Sequence, residues 1–441
     1  MNFAGVRRGP RNLRSRFDAD ALTHYGGAIL VHEFLQRIGL RAQLWRHVRF
    51  SQRNNRYRIS ETLLAILYPI ILGMERLEAS EPLKHNGVFQ YLTGLPGYPD
   101  PTSLRRFLRR FAEAGRAGLL RVHDRYQQAM LAPLRPQPIV DLDASVLTVY
   151  GRQQKSAVGY NPRKRGRPSY LAVLCFEGHT RDALEGALHP GNAHVLPVIR
   201  PMIERALPKL PRSKPLRMRA DAAFYDGDFI HWLEARRVHY VIPARVTTPI
   251  KYRLGGLRYG RVRRDVWAAE FRYQPMGWDQ ARRFVVIRRP VPEEPSAQLH
   301  LFQMKGYVYQ VLVTNMPWTP WRIWQFYNDR SHAELVIREL KAAYALDKIP
   351  MHEFASNEAF FQLVLLAYNL LGWFKRLCAP PSLQRATLQR LRRQLFLAPA
   401  QLVRPQGRPV LRLARAYPFP ELFREALRQI HRLKSPLPNQ V

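Results

Sequence analysis

Between Ile139 and Ala244 short β-rich runs alternate with helical ones, and their order leaves few folds open. IVDLDASVLTVY (139–150) alternates apolar and polar positions and is rich in β-formers, so it reads as a strand. A basic loop containing GYNPRKRGRPSY follows, then two more strands, LAVLCFE (171–177) and ALEGALH (183–189). A helix fits Val195 to Leu207, a strand LRMRAD (216–221), a helix Gly227 to Ala235, and a strand HYVIPA (239–244).

Strand, strand, strand, helix, strand, helix, strand is the order of a ribonuclease-H-like α/β core with a mixed sheet. Residues 245–316 interrupt it with the β-type segments DVWAAEFRYQP, RRFVVIRRP, LHLFQM and YVYQVLVTN, separated by Gly and Pro turns. Helical pattern returns in WTPWRIWQFYNDRSHAELVIRELKAAYAL and NEAFFQLVLLAYNLLGWFKRL. The expected division is a helical DNA-binding domain (1–135), the core in two parts (136–244 and 317–380), a β-rich insertion (245–316), and a basic C-terminal region (381–441) that closes on a helix.

Charge points to a polyanionic partner. Seventy Lys and Arg against 33 Asp and Glu leave a formal +37 over 441 residues, a self-repelling excess unless phosphates neutralise it. An Arg-favouring base composition explains Arg in place of Lys, but not the shortage of acids. The two cysteines, Cys175 and Cys378, lie in apolar runs, which argues for buried thiols in a reducing compartment and against a Cys-based zinc site. The longest apolar stretches, Thr62 to Met74 and Phe360 to Leu371, are shorter than the roughly 20 residues a membrane span needs, and the basic N-terminus lacks a secretory h-region. The expectation is a soluble, cytoplasmic protein.

In the N-terminal part, TSLRRFLRRFAEAGRAGLLRVHDRYQQAM reads as helix, with Thr102 or Ser103 as its cap. Arg105, Arg106, Arg109 and Arg110 lie opposite Leu104, Phe107, Leu108 and Phe111. Such a face suits a recognition helix on DNA, or the solvated side of a bundle helix. Trp267, Trp278 and Tyr273 in the insertion can stack on an unpaired base or pack within a sheet. His189 and His194 have no third ligand at metal spacing and read as surface histidines.

Three acids stand out. Asp143 lies mid-strand, where a carboxylate is costly, and Asp141 shares its face by the period of two. Asp221 ends a strand, where open α/β sheets place functional groups. Glu334 sits in a long helical stretch with Tyr327 seven residues before it, Arg330 four before and Lys341 seven after. On one continuous helix these four would line a stripe about 21 Å long, enough to track several phosphates.

That spacing, Y-(2)-R-(3)-E-(6)-K, resembles the signature of bacterial insertion-sequence DDE transposases, and of their GYNP-containing subgroup. DLDAS with the loop behind it is similar to the family's first-Asp block, RADAAFYDGDFIHWLE with YVIPA to its second, and LAYNLLGW to the helix after the signature. The likeness runs from about 137 to 375, and more weakly to the ends. It implies a catalytic triad of Asp143, Asp221 and Glu334, with Asp143 preferred over Asp141 because Ala144 and Ser145 follow it. Ala144 stands where the family more often has Ser, Thr or Gly.

The resemblance further implies that the triad holds two Mg²⁺ or Mn²⁺ ions. Hard carboxylate oxygens suit such ions, and a pair about 3.5–4 Å apart activates the attacking oxygen and stabilises the leaving one. Tyr327, Arg330 and Lys341 match positions that hold phosphates, with Arg330 suited to a bidentate clamp and Lys341 to a point charge. Arg163, Lys164, Arg165 and Arg167 in the basic loop are further candidates for DNA contact. The activity implied is binding of terminal inverted repeats, cleavage and strand transfer into target DNA by a homodimer. The alternatives are a ribonuclease-H-like nuclease or resolvase without strand transfer, and a non-catalytic DNA-binding protein of transposase descent.

Overall fold

The computed structural model describes residues 15–52, 56–211, 215–291 and 302–437. A two-residue strand, β1 (Leu22–Thr23), precedes six α-helices: α1 (Ala28–Arg37), α2 (Leu40–His47), α3 (Ile59–Leu72), α4 (Gly87–Leu92), α5 (Pro101–Ala114) and α6 (Arg116–Leu131). The stretch expected as one helix over 102–130 is two, parted at Gly115. A Cβ there would meet the Phe111 ring at 2.5 Å, so the close approach requires glycine. The cap of α5 is Asp100, whose carboxylate accepts from Thr102 N at 2.8 Å, with Pro101 in the first turn where a missing N–H costs nothing.

The core follows as β2 (Ile139–Thr148), β3 (Ala157–Val158), β4 (Pro168–Glu177), β5 (Ala183–Pro190), α7 (Leu196–Ala206), β6 (Arg217–Arg219), α8 (Gly227–Ala235) and β7 (His239–Pro243). Spatially these strands run β5-β4-β2-β6-β7, with β4 antiparallel to both neighbours and β2, β6 and β7 mutually parallel. This is a mixed sheet in the element order expected from sequence. β6 is shorter than the LRMRAD segment. It stops at Arg219, opposite Asp141, so β2 and β6 part beyond that pair.

The region after β7 holds a helix that the sequence pattern did not announce, α9 (Thr248–Gly256), then β8 (Gly260–Arg263), β9 (Val266–Tyr273), β10 (Arg282–Pro290), β11 (Phe302–Met304) and β12 (Tyr307–Thr314). The first residues of LHLFQM, 299–301, lie outside the described residues. These strands form no sheet of their own. β12 pairs antiparallel with β7 through Val313 and Ile242, and β10, β9 and β8 continue outward. The added meander thereby covers the backbone edge that β7 would otherwise leave unpaired.

Two helices then return the chain to the core, α10 (Pro320–Asn328) and α11 (Ser331–Ala343). The 24-residue α12 (Phe354–Leu377) follows, buried along most of its length. α12 packs on β5 and on α3, α5 and α6, so N- and C-terminal helices share one apolar core. The chain closes with α13 (Leu388–Leu391), β13 (Ala400–Val403), β14 (Val410–Leu413) and α14 (Pro420–Arg432). Among the described residues no helix is long and apolar enough to cross a membrane.

Arg392 shows how the C-terminal region is tied in. Its guanidinium donates to the carbonyls of Ile70 (2.7 Å), Ile71 (2.8 Å) and Ala343 (2.7 Å), acceptors that the ends of α3 and α11 leave without helical partners. Arg392→Met keeps the volume and removes all three bonds. It should cost about 2 kcal/mol, read as a lower urea midpoint; an unchanged midpoint would show that water replaces the guanidinium at no cost.

Candidate active site

The parting of β2 and β6 builds the site. Asp143 and Asp221 each lie two residues beyond the Asp141–Arg219 register pair, Asp143 within β2 where its parallel pairing has ended and Asp221 just past the end of β6. Asp221 also caps the short helical turn after β6, accepting from Ala223 N at 2.8 Å. Glu334 arrives in the first turn of α11, which packs against β2.

One guanidinium joins two of these acids. Arg330 Nη1 lies 3.1 Å from Asp143 Oδ2, and Nη2 lies 2.9 Å from Glu334 Oε1. Asp143 and Arg330 are both buried, whereas 62% of the Glu334 side chain is exposed. Burial pushes the Asp143 carboxyl from 3.8 up to about 6; Arg330 opposes that rise, and the charges of Asp221 and Glu334 add to it. Asp221 is raised by burial and by Glu334, and held down by its bond from Ala223, by Arg330 and by Arg245. The three carboxylates therefore act in one electrostatic field. Among the described residues, however, no three acidic or imidazole groups close tightly enough to form a metal cage.

The residues suit a hard cation on two counts. All three acids offer carboxylate oxygens, and a cationic guanidinium already bridges two of them. The Nε of Arg330 is buried without a hydrogen-bond partner. A buried orphan donor is expensive in a charged group.

The four residues from Tyr327 to Lys341, expected on one continuous helix, are divided between two. Helix breaks at 329–330: Arg330 N donates to Tyr327 O (3.0 Å) and Ala333 N to Arg330 O (2.8 Å), three-residue turns in place of the α-helical ladder. The reason is packing, since α10 lies on β9 and β10 while α11 lies on β2. Tyr327 stays beside Arg330, the guanidinium carbon 5.7 Å from its ring centroid. Lys341 is half-buried, donating to Val146 O on β2 at 2.9 Å, and its ammonium is disfavoured by burial and by Arg163.

Asp141 is taken up by Arg219, both oxygens accepting at 2.6 Å. That buried pair, and the exposed Arg245 beside Asp221, escaped sequence reasoning. The available signals were an Arg inside the short LRMRAD strand and an Arg directly after YVIPA.

Arg163, Lys164, Arg165 and Arg167 are exposed on the loop between β2 and β4. Asn161 of GYNP anchors that loop, donating to Thr148 Oγ1 and accepting from Lys164 N, both at 3.1 Å. Arg106 and Arg110 are exposed on α5; Arg105 is half-buried and paired with Glu78, and Arg109 pairs with Glu353 at 2.8 Å. His352 O accepts from Gln154 N, so α5 and the basic loop border one segment at the start of α12. In the region after β7 the aromatics pack: Trp278 lies 5.1 Å from Tyr225 and 6.4 Å from Phe284, Trp267 5.7 Å from Tyr307, and Tyr273 5.8 Å from Phe284. His194 is exposed and His189 half-buried.

Among solved structures, the chain is similar to a piggyBac transposase synaptic complex with hairpin DNA, at 11% identity and a TM-score of 0.45, over 96% of this chain and 88% of that one. No curated protein matches it. The family model described as transposase DDE domain group 1 matches residues 7–435, nearly the whole chain. The protein belongs to the DDE transposase family.

Proposed function

We propose that this protein is the transposase of a bacterial insertion sequence, binding terminal inverted repeats, cleaving DNA and transferring strands through Asp143, Asp221 and Glu334. The observation that carries this is Arg330 bridging Asp143 and Glu334 beside Asp221 where β2 and β6 part. The three carboxylates would hold two Mg²⁺ or Mn²⁺ ions, which when bound activate the attacking oxygen and stabilise the leaving one. Arg330 has a donor to spare, so a DNA phosphate entering the site gives Nε an acceptor and offers the guanidinium an anion other than the acids. Tyr327 lines that approach. Lys341, fixed to β2, adds positive potential without a free reach. The Tyr-Arg-Glu-Lys spacing and the GYNP loop favour the GYNP-containing subgroup, and a homodimer would bring two transposon ends together.

The test is incubation of purified protein with duplexes carrying the inverted repeats that flank its gene, plus Mg²⁺ or Mn²⁺. Cleavage followed by strand-transfer products is expected. Hydrolysis without joining would favour a nuclease, and binding without cutting a retired transposase.

Charge in the loop between β2 and β4 provides a second check. Replacing Arg163, Lys164, Arg165 and Arg167 by alanine should flatten the dependence of log K on log salt by about 3–4 units, near 0.9 for each phosphate that is no longer neutralised. A slope equal to wild type would remove the loop from the DNA path.

A further inference from the structure

Arg219 and Asp141 belong to no catalytic set, yet they stand where the three acid-bearing elements meet. Arg219 is 2% exposed and grips Asp141 with Nε and Nη2, both at 2.6 Å. The two residues are register partners across the parallel β2–β6 pair, so each sits two residues before a triad aspartate. The third nitrogen reaches elsewhere: Nη1 donates to Phe326 O at 2.9 Å, with the guanidinium 4.9 Å from the Phe326 ring centroid.

That carbonyl matters. In an unbroken helix Phe326 O would accept from the amide of Arg330, but this amide turns to Tyr327 O instead. The break that brings Arg330 and Glu334 toward the aspartates therefore strands the Phe326 carbonyl, and Arg219 takes it up. The space is closed on the other side as well, since a Cβ at Gly178 would meet Arg219 Nη2 at 2.9 Å.

Resting on the transposase reading, we infer that Arg219, locked by Asp141, is a positioning residue that sets the α10–α11 break and thereby the placement of Glu334 and Arg330 relative to Asp143 and Asp221. Its polar contacts are with Asp141 and the Phe326 carbonyl, so it acts through them. A hydrophobic replacement of the ion pair at similar size preserves packing without leaving an unpaired buried charge, so the double variant Asp141→Leu/Arg219→Met separates position from folding.

The double variant is expected to melt near wild type and to bind inverted-repeat DNA with unchanged affinity, while its single-turnover cleavage with Mn²⁺ falls about 100-fold, the scale of a 1 Å misplacement. Amide hydrogen exchange should quicken in the 326–334 segment and nowhere in β4 or β5. Should the double variant not fold, Arg219→Lys keeps the charge toward Asp141 but lacks the fork to hold Phe326 O at the same time; it should show the same local exchange and a cleavage loss without a binding loss. A folded variant that cleaves at the wild-type rate, or whose 326–334 exchange is unaltered, overturns the inference. If wild-type protein cuts nothing under these conditions, the transposase reading falls, while the exchange measurement still decides whether the pair sets the break.

Discussion

Glu334→Gln will abolish DNA cleavage while leaving the protein folded and bound to its DNA. The side chain is 62% exposed, its bond to Arg330 spans one turn at the start of α11, and the amide still offers an oxygen to that guanidinium. Glutamine keeps the acceptor for the buried Arg330, so what is lost is mainly the charge part of an i, i+4 pair, about 0.3–0.5 kcal/mol, and melting should barely change. Catalysis is another matter. The amide carries no negative charge for a divalent ion at a site otherwise supplied by two aspartates, and it neither bridges nor neutralises as a carboxylate does. The expected loss exceeds the roughly 10²–10³-fold that follows removal of one preorganised hydrogen-bond donor. Binding to inverted-repeat DNA, measured by anisotropy at fixed salt, should hold or tighten, because one negative charge has left a basic face. Residual cleavage within a few-fold of wild type would remove Glu334 from the triad; loss of folding would make it structural.

Much of this arrangement was readable in the chain because strands and helices announce themselves locally. IVDLDASVL, LAVLCFE and YVYQVLVT carry their period in a few residues, and the structure returns them as β2, β4 and β12. The local settings of Asp143 and Asp221 were readable in part for the same reason: Asp143 is mid-strand as its pattern implies, whereas Asp221 lies two residues past a strand that stops early at Arg219. The stripe on Glu334 was not readable, because its geometry assumed one helix. Nothing within Tyr-Asn-Asp-Arg-Ser-His forbids helix. The break falls where the packing surface changes, from β9–β10 under α10 to β2 under α11. Arg219 was hidden likewise, since its value lies in Asp141 and Phe326 O, 78 and 107 residues away in sequence. That the segments after β7 would extend the core's sheet was equally non-local, because an unpaired β7 edge exists only once the sheet is built. Glycine is the instructive exception. Gly115 marks the α5–α6 break in the sequence itself, yet a periodic pattern on either side conceals it.

Asp143→Asn should stabilise the ion-free protein at neutral pH while inactivating it. Asp143 has a folded carboxyl at about 6 against 3.8 for an unperturbed one, with burial as the main cause. A raised acid favours the folded state through its protonated form. That contribution is whole below about 4 and is lost as pH rises through 6, because the folded protein must then ionise a group that the unfolded chain has already ionised at less cost. A shift of about two units corresponds to about 3 kcal/mol, forfeited by wild type above pH 7. Asparagine mimics the protonated acid and does not titrate. The variant should therefore melt above wild type at pH 8 in EDTA, with the advantage shrinking through pH 6 and gone near pH 4. Divalent ions should reverse the order. Mg²⁺ at about 100 times its dissociation constant would return about 2.7 kcal/mol to wild type through binding to the folded state alone, and much less to the variant that lacks one of the three carboxylates. A melting difference that does not change with pH would show that Asp143 is ionised at ordinary carboxylate pH in the folded protein, with Arg330 and not burial setting its charge.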